Sequence, residues 1–332
     1  MANAYWKGGD GATDDSKGDF NLAANWQTAI GGAFGAVPGS ADVMIFDSRA
    51  AVVPTTYSGT KHTIGNHYNC YYNMASGPDD CQGVIVAAEF TGLIGKTTLG
   101  VEAPLQLSLA AGKEMIIRGD SEAHFKIKTA SKVVPKVIFD STNGILVLSG
   151  VNDTNAVWTL IECYGTGTLE LEDNTKYTDI VNYGAATIIV NETCPAGNIT
   201  VLGGAGYCDS PVTNLKGSGS ATFDLGQESL TNPLEDLDLA DVEWYSSGIF
   251  TWRAAGKITA GDQYAGTISV VGPGAKQIGN SGNTITIHGG SFNASQQKGA
   301  LTLGGTCALL HKPGGAVLLP DGTEITAFTT GN

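Results

Sequence analysis

From about residue 84 to about residue 310 the chain is a succession of short apolar runs, among them GVIVAA, LQLSL, FKIK, GILVLSG, TLELE, TIIVNE, NITVLGG, TISVVG and TITIHGG. Each run is about four to six residues long and gives way to the next after roughly eight to twelve residues, across Gly, Asn, Asp, Ser or Thr. Within most runs apolar and polar residues alternate, as in strands with one buried face. Elements this short and this closely spaced leave no room for helices, so the chain is predicted to be all-β. The 46 glycines among 332 residues and the 15% charged fraction fit strands joined by tight turns.

Two architectures satisfy such a pattern, a β-sandwich of hairpins and a parallel β-solenoid whose coils stack on one another. Hairpin turns of the Asn-Gly or Asp-Gly kind are scarce, the best being Thr142-Asn143-Gly144. The runs are also loosely self-similar without a strict repeat. The predicted fold is therefore a single right-handed parallel β-helix, with the sandwich as the alternative. At roughly 20 to 24 residues per coil it would hold about ten coils. Residues 1–80 read as an N-terminal cap, a first strand beginning in DVMIFDS at 42–48 and a polar, aromatic loop. Residues 81–310 read as the helix, and 311–332 as a C-terminal cap or contact tail.

The formal charge of −14, with only 18 Lys and Arg, excludes nucleic acid as a direct partner, because a polyanion is bound by displacing its counterions with basic side chains. It equally disfavours an anionic membrane surface, and no run of about 18 apolar residues reads as a spanning helix. No basic segment leads into an apolar one at the N-terminus, so the chain is expected to be made in the cytoplasm and not exported by the usual route. Six cysteines, at 70, 81, 163, 194, 208 and 307, allow reduced thiols or loop-closing disulfides, with Cys70/Cys81 and Cys194/Cys208 the close pairs.

A solenoid exposes apolar core and unpaired backbone at its ends, and something must cover them. The opening stretch YWKGGDGATDDSKGDFNLAANWQ carries Trp6 and Trp26 in a glycine- and aspartate-rich setting, and both rings are expected to lie over the first coil. The residues Trp6, Gly8, Gly9, Asn25, Trp26, Pro38, Asp42, Phe46 and Asp47 form a W-x-G-G, N-W, P-x-x-x-D-x-x-x-F-D pattern. That pattern resembles the N-terminus of bacteriophage virion proteins that continue into a glycine-rich β-helix, and a related aromatic pattern opens some bacterial surface β-helix adhesins. The resemblance covers roughly the first 115 residues and assigns Trp6, Asn25, Trp26, Pro38, Asp42 and Phe46 to capping and assembly. It implies a non-enzymatic structural protein of the virion, foremost a capsid decoration or cementing protein. The partners it implies are further copies of the chain, as a homotrimer, and other virion proteins such as the major capsid protein. A tail fibre or spike that binds host polysaccharide, or a bacterial adhesin, are the alternatives.

No cofactor is implied, and candidates for chemistry are few. His62, His67, Cys70 and Cys81 are ligand types that zinc accepts, at a spacing unlike a standard finger; an unligated loop or a Cys70–Cys81 disulfide reads the same residues. Glu235, Asp236, Asp238, Asp241 and Glu243 in LEDLDLADVE could supply paired carboxylates for glycoside cleavage, or form the solvated face of a strand. Trp158, Trp244 and Trp252 could stack on sugars if aligned outward, and otherwise fill the core. GGAGYCD at 203–209 lacks the Lys-Ser/Thr and helix of a phosphate-binding loop.

Overall fold

The computed structural model describes residues 2–8, 18–33, 35–49, 69–71, 73–96, 103–128, 132–151, 156–172, 174–226, 236–280, 282–304, 309–320 and 328–330. The fold is all-β, a β-solenoid of stacked parallel coils and not a sandwich or barrel. The chain divides into two compact units, Met1–Thr178 and Asp179–Asn332.

In the first unit one sheet is built from Ala2–Trp6, Asp42–Phe46, Gly83–Val86, Glu114–Ile117, Val133–Phe139 and Val157–Cys163, each parallel to the one before. A second sheet stacks Leu105–Leu107, Glu122–Ile127, Ile145–Ser149 and Thr168–Glu172. The stack therefore begins one strand earlier than DVMIFDS, with Ala2–Trp6. Because these pairings are parallel and in register, equivalent residues form columns. Trp6, Phe46, Val86, Ile117, Phe139 and Cys163 succeed one another along one such column, all fully buried. Alternation puts these residues inward and their neighbours outward, and the buried columns supply the main favourable term, about 1.5–3 kcal/mol for each large aliphatic or aromatic side chain.

In the second unit Asn198–Val201, Val212–Gly217, Leu239–Trp244 and Gly256–Gln263 pair in turn. The long strand Gly256–Gln263 is met by two short ones, Lys276–Ile278 and Ile285–Ile287, which each pair with one half of it. The other sheet stacks Thr187–Val190, Ala205–Cys208, Thr222–Leu225, Ile249–Trp252, Thr267–Val270, Gly290–Asn293 and Gly315–Leu318. Coils continue beyond residue 310, because Leu309–His311 and Gly315–Leu318 keep the register of the strands before them. Large and small inward residues alternate: a Cβ on Gly217 would lie 2.1 Å from the Trp244 ring and one on Gly206 2.4 Å from Phe223, so each glycine makes room for the ring on the next coil.

No fixed period exists. Register advances by 23 residues from Leu146 to Leu169, by 17 from Ala205 to Thr222 and by 27 from Phe223 to Phe250. Most of the variation lies in one kind of connection. From the first sheet to the second, two to five residues intervene from Ile117 onward, as at Ile287 to Gly290 and Phe139 to Ile145, whereas the earlier connection from Val86 to Leu105 is much longer. From the second sheet back to the first, the count runs from three, at Cys208 to Val212, to thirteen, at Leu225 to Leu239.

The short corner is tight because backbone lies directly on backbone. A Cβ on Gly165 would stand 2.0 Å from the carbonyl oxygen of Ser141, on Gly248 2.2 Å from that of Ala221, and on Gly289 2.6 Å from that of Tyr264. Polar side chains tie the same corners: the Asp120 carboxylate accepts the N–H groups of Thr142 and Asn143 at 3.1 and 3.0 Å, and these bonds hold its pKa below the ordinary value. Thr142-Asn143-Gly144 is thus a corner between sheets and not a hairpin. Gly165→Ala is expected to lower stability by roughly 1–3 kcal/mol through forced backbone displacement. Gly39→Ala, whose Cβ would have only an Asp42 carboxylate oxygen at 3.9 Å, should stay within about 0.5 kcal/mol. Thermal melts of the two variants check the contrast.

Candidate functional site

The opening residues converge on one aromatic cluster. Trp6 and Trp26 meet edge to face at 5.1 Å between ring centroids, and Phe46 lies 6.2 Å from the first and 5.9 Å from the second. Phe20 packs on Trp26 at 5.2 Å and Phe90 on Phe46 at 5.6 Å, extending the cluster with two rings the sequence pattern did not include. All five rings are fully buried. The Trp26 indole N–H donates to the Phe20 carbonyl at 2.8 Å, so burial leaves that donor satisfied. Asn25 is buried and donates its side-chain amide to the Asp19 carbonyl at 3.0 Å, while its own carbonyl accepts the Lys7 and Gly8 N–H groups. Pro38 is buried, and the Asp42 carboxylate accepts the Gly39 N–H at 3.0 Å, closing the turn that leads into Asp42–Phe46. Asp47 accepts side-chain hydrogen bonds from Arg49, which hold its carboxyl below the usual range. Gly9 lies outside the described residues.

The backbone of this region has one feature found between no other strands among the described residues. Trp26–Gln27 runs antiparallel to Tyr5–Trp6, on a ladder where the other partner, Asp42–Phe46, is parallel. A two-residue reversed strand offers no template for a further parallel coil.

The remaining candidates fall differently. His62 and His67 lie outside the described residues. Cys70, Cys81, Cys163, Cys194 and Cys208 are buried and in no disulfide, so neither close cysteine pair is bridged. Burial raises the Cys70 thiol well above its ordinary value, pushes Cys81 up to about 11 and Cys163 to about 12, which leaves them poor thiolate donors. No group of three or more potential metal ligands occurs among the described residues. Trp158, Trp244 and Trp252 are fully buried, so none can stack on a sugar. Trp244 and Trp252 are in phase with the alternation of their strands, whereas Trp158 is inward because the alternation of Val157–Cys163 breaks at Thr159 and Leu160.

Leu239, Asp241 and Glu243 of LEDLDLADVE stand on the strand Leu239–Trp244, which Asp236 and Asp238 precede; Leu234 and Glu235 lie outside the described residues. Asp238 accepts the Lys257 N–H at 3.0 Å and pairs with its ammonium at 3.4 Å. Asp241 and Glu243 face outward. Glu243 pairs with Lys216 at 2.6 Å, and register places it beside Asp262, which is bonded to His288 at 2.7 Å. Burial, then the charges of Glu243 and Asp262, raise the pKa of Asp241.

The most distinctive surface feature was not singled out from the sequence. Directly after Trp244, Gln263 and Ile287, which share one register position, come Tyr245, Tyr264 and His288. Their rings stack parallel, Tyr245 on Tyr264 at 4.5 Å and Tyr264 on His288 at 4.3 Å, each with 5° between planes. Lys216 holds its ammonium 5.4 Å from the Tyr245 ring centre. Tyr164, Tyr183, Tyr245 and Tyr264 are each 41–47% exposed and all occupy the first position of a short corner. The signal lay in the motifs YGTG (164–167), YGAA (183–186), YSSG (245–248), YAG (264–266) and HGG (288–290), an aromatic residue followed by small ones at each corner.

A groove of about 350 Å³ lies on the second unit among Asp236, Asp238, Lys257, Lys276, Gln277 and Thr302. Lys276 is 2% exposed; its ammonium donates to the carbonyls of Arg253 at 3.0 Å and Gly274 at 3.4 Å and lies 5.6 Å from the Trp252 ring centre. Burial pushes its pKa down to about 8. Comparison with protein-family models, with curated proteins and with solved structures finds no match to this chain.

Two outcomes follow from these geometries. The unfolded chain holds the Lys276 proton up to about pH 10.4 while the native one releases it near 8, so stability should rise across that window, by on the order of 2–3 kcal/mol. Lys276→Met should flatten that rise in denaturant titrations at pH 7.5 and 10. Trp26→Ala empties the centre of the aromatic cluster and is expected to cost about 3–5 kcal/mol, read as a lowered denaturation midpoint.

Proposed function

We propose that the chain is a non-enzymatic structural protein of a bacteriophage particle, foremost a capsid decoration or cementing protein. One observation carries the reading: Trp6, Asn25, Trp26, Pro38, Asp42 and Phe46, which resemble the opening of virion β-helix proteins, gather at one edge of a parallel stack beside a reversed strand. An accessory part of a particle has to be rigid and must not polymerise with itself. A backbone-on-backbone coil stack suits the first requirement and a reversed edge strand the second. On this reading the aromatic cluster is the cap, and its outer surface meets the neighbouring virion proteins, with copies of the chain grouped as trimers.

A polysaccharide-binding or polysaccharide-cleaving spike is the competing reading. It is favoured by the register that sets the carboxylates of Glu243 and Asp262 on adjacent coils of an outward face. The coding sequence should lie among capsid, portal and tail genes, and electron microscopy of particles assembled without this protein should reveal capsids missing surface density or breaking under stress. Particles indistinguishable from the parent would overturn the proposal. Loss of capsule or lipopolysaccharide on incubation with the purified protein would replace it with the spike.

A further inference from the structure

The corner of the second unit that carries Tyr245, Tyr264 and His288 combines three features. The rings are exposed at their edges but closed on their faces: Tyr264 lies between Tyr245 and His288, and Tyr245 between Tyr264 and the Lys216 ammonium. A sugar ring, which stacks on an aromatic face, has no place on either tyrosine. Ile249, across the same corner, is 48% exposed. Among the described residues no lysine or arginine pairs with Asp241 or Asp262, since Lys216 is taken by Glu243 and Asp262 meets only the His288 ring.

From this charge pattern we propose that the corner, with the outward strand face that carries Asp241 and Asp262 and leads to it, is a docking surface for a partner protein segment presenting arginine and apolar side chains. A guanidinium forms paired hydrogen bonds with a carboxylate and sheds water more easily than an ammonium, so Asp241 and Asp262 are suited to receive it. The flanking apolar residues would lie against Ile249 and the ring edges. Stacking already fixes the rings, so little side-chain freedom is left to lose on binding, and tyrosine and arginine are the residue types that dominate protein interfaces. The proposal does not rest on the virion reading and concerns a different part of the chain from the aromatic cap.

The test uses the full chain immobilised on a sensor and three soluble probes: a peptide alternating Arg and Leu, the same peptide with Glu for Arg, and a neutral oligosaccharide. The Arg peptide should bind with an affinity that falls as salt is raised, and the Glu peptide should not bind. The double variant Asp241→Asn/Asp262→Asn and the single variant Tyr264→Ala should each bind the Arg peptide about tenfold more weakly. Glu89→Gln/Glu114→Gln removes the same charge from exposed positions of the first unit and should leave binding intact. Equal losses in the two double variants would reduce the effect to diffuse electrostatics and overturn the proposal. So would absence of Arg-peptide binding, or oligosaccharide binding that Tyr264→Ala abolishes. The positions are on the surface, and melting curves verify that each variant folds; if Tyr264→Ala does not, the comparison of double variants decides alone.

Discussion

Everything in this molecule depends on the spacing between one coil and the next. Parallel strands sit about 4.8 Å apart, and wherever the chain turns a short corner that distance has to be kept with no side chain between the backbones. The near contacts of Gly165 with Ser141 and Gly248 with Ala221 are the direct expression of this constraint. Once the corners hold the spacing, the inward columns pack at the density of a protein interior. Trp244 can then lie over Gly217, and Phe223 over Gly206, without leaving a void. The aromatic cluster, the outward ladder and the ion pairs between coils are all placed by that one repeat distance.

Much of the fold was legible in the sequence, because the strand signal is local. Alternation in LQLSL or TLELE is decided within a few residues, and the scarcity of two-residue hairpin turns separates stacked coils from a sandwich. Coil length was not legible in the same way. A period can be read only if every connection has a similar length, and the thirteen residues from Leu225 to Leu239 against three from Cys208 to Val212 remove it. The strand Ala2–Trp6 was missed for a related reason. It is followed by glycine and aspartate and not by another run, so nothing near it in the sequence announces the distant partner Asp42–Phe46.

The same distinction governs the sites. Trp6, Trp26 and Phe46 could be grouped because each stands in a recognisable pattern, whereas Phe20 and Phe90 join them only through the fold. The tryptophans at 244 and 252 were ambiguous until the parity of their strands was known, and Trp158 until the break in alternation at Thr159 and Leu160 was seen, because one step of register turns such a residue from ligand platform to core. Tyr245, Tyr264 and His288 are separated by 19 and 24 residues, spacings that look unrelated. Counting from the corner glycines and serines instead of from the previous aromatic residue would have aligned them.

The unequal turns also bear on how such a chain can change over time. At a glycine corner an added residue would separate backbones that lie directly on one another, whereas a segment as long as the one after Leu225 is accommodated with Phe223 and Phe250 still in register. New surface can therefore be acquired by insertion at the long connections, independently of the core. Lineages of this protein should differ most in length at those connections and hardly at all at the glycine corners.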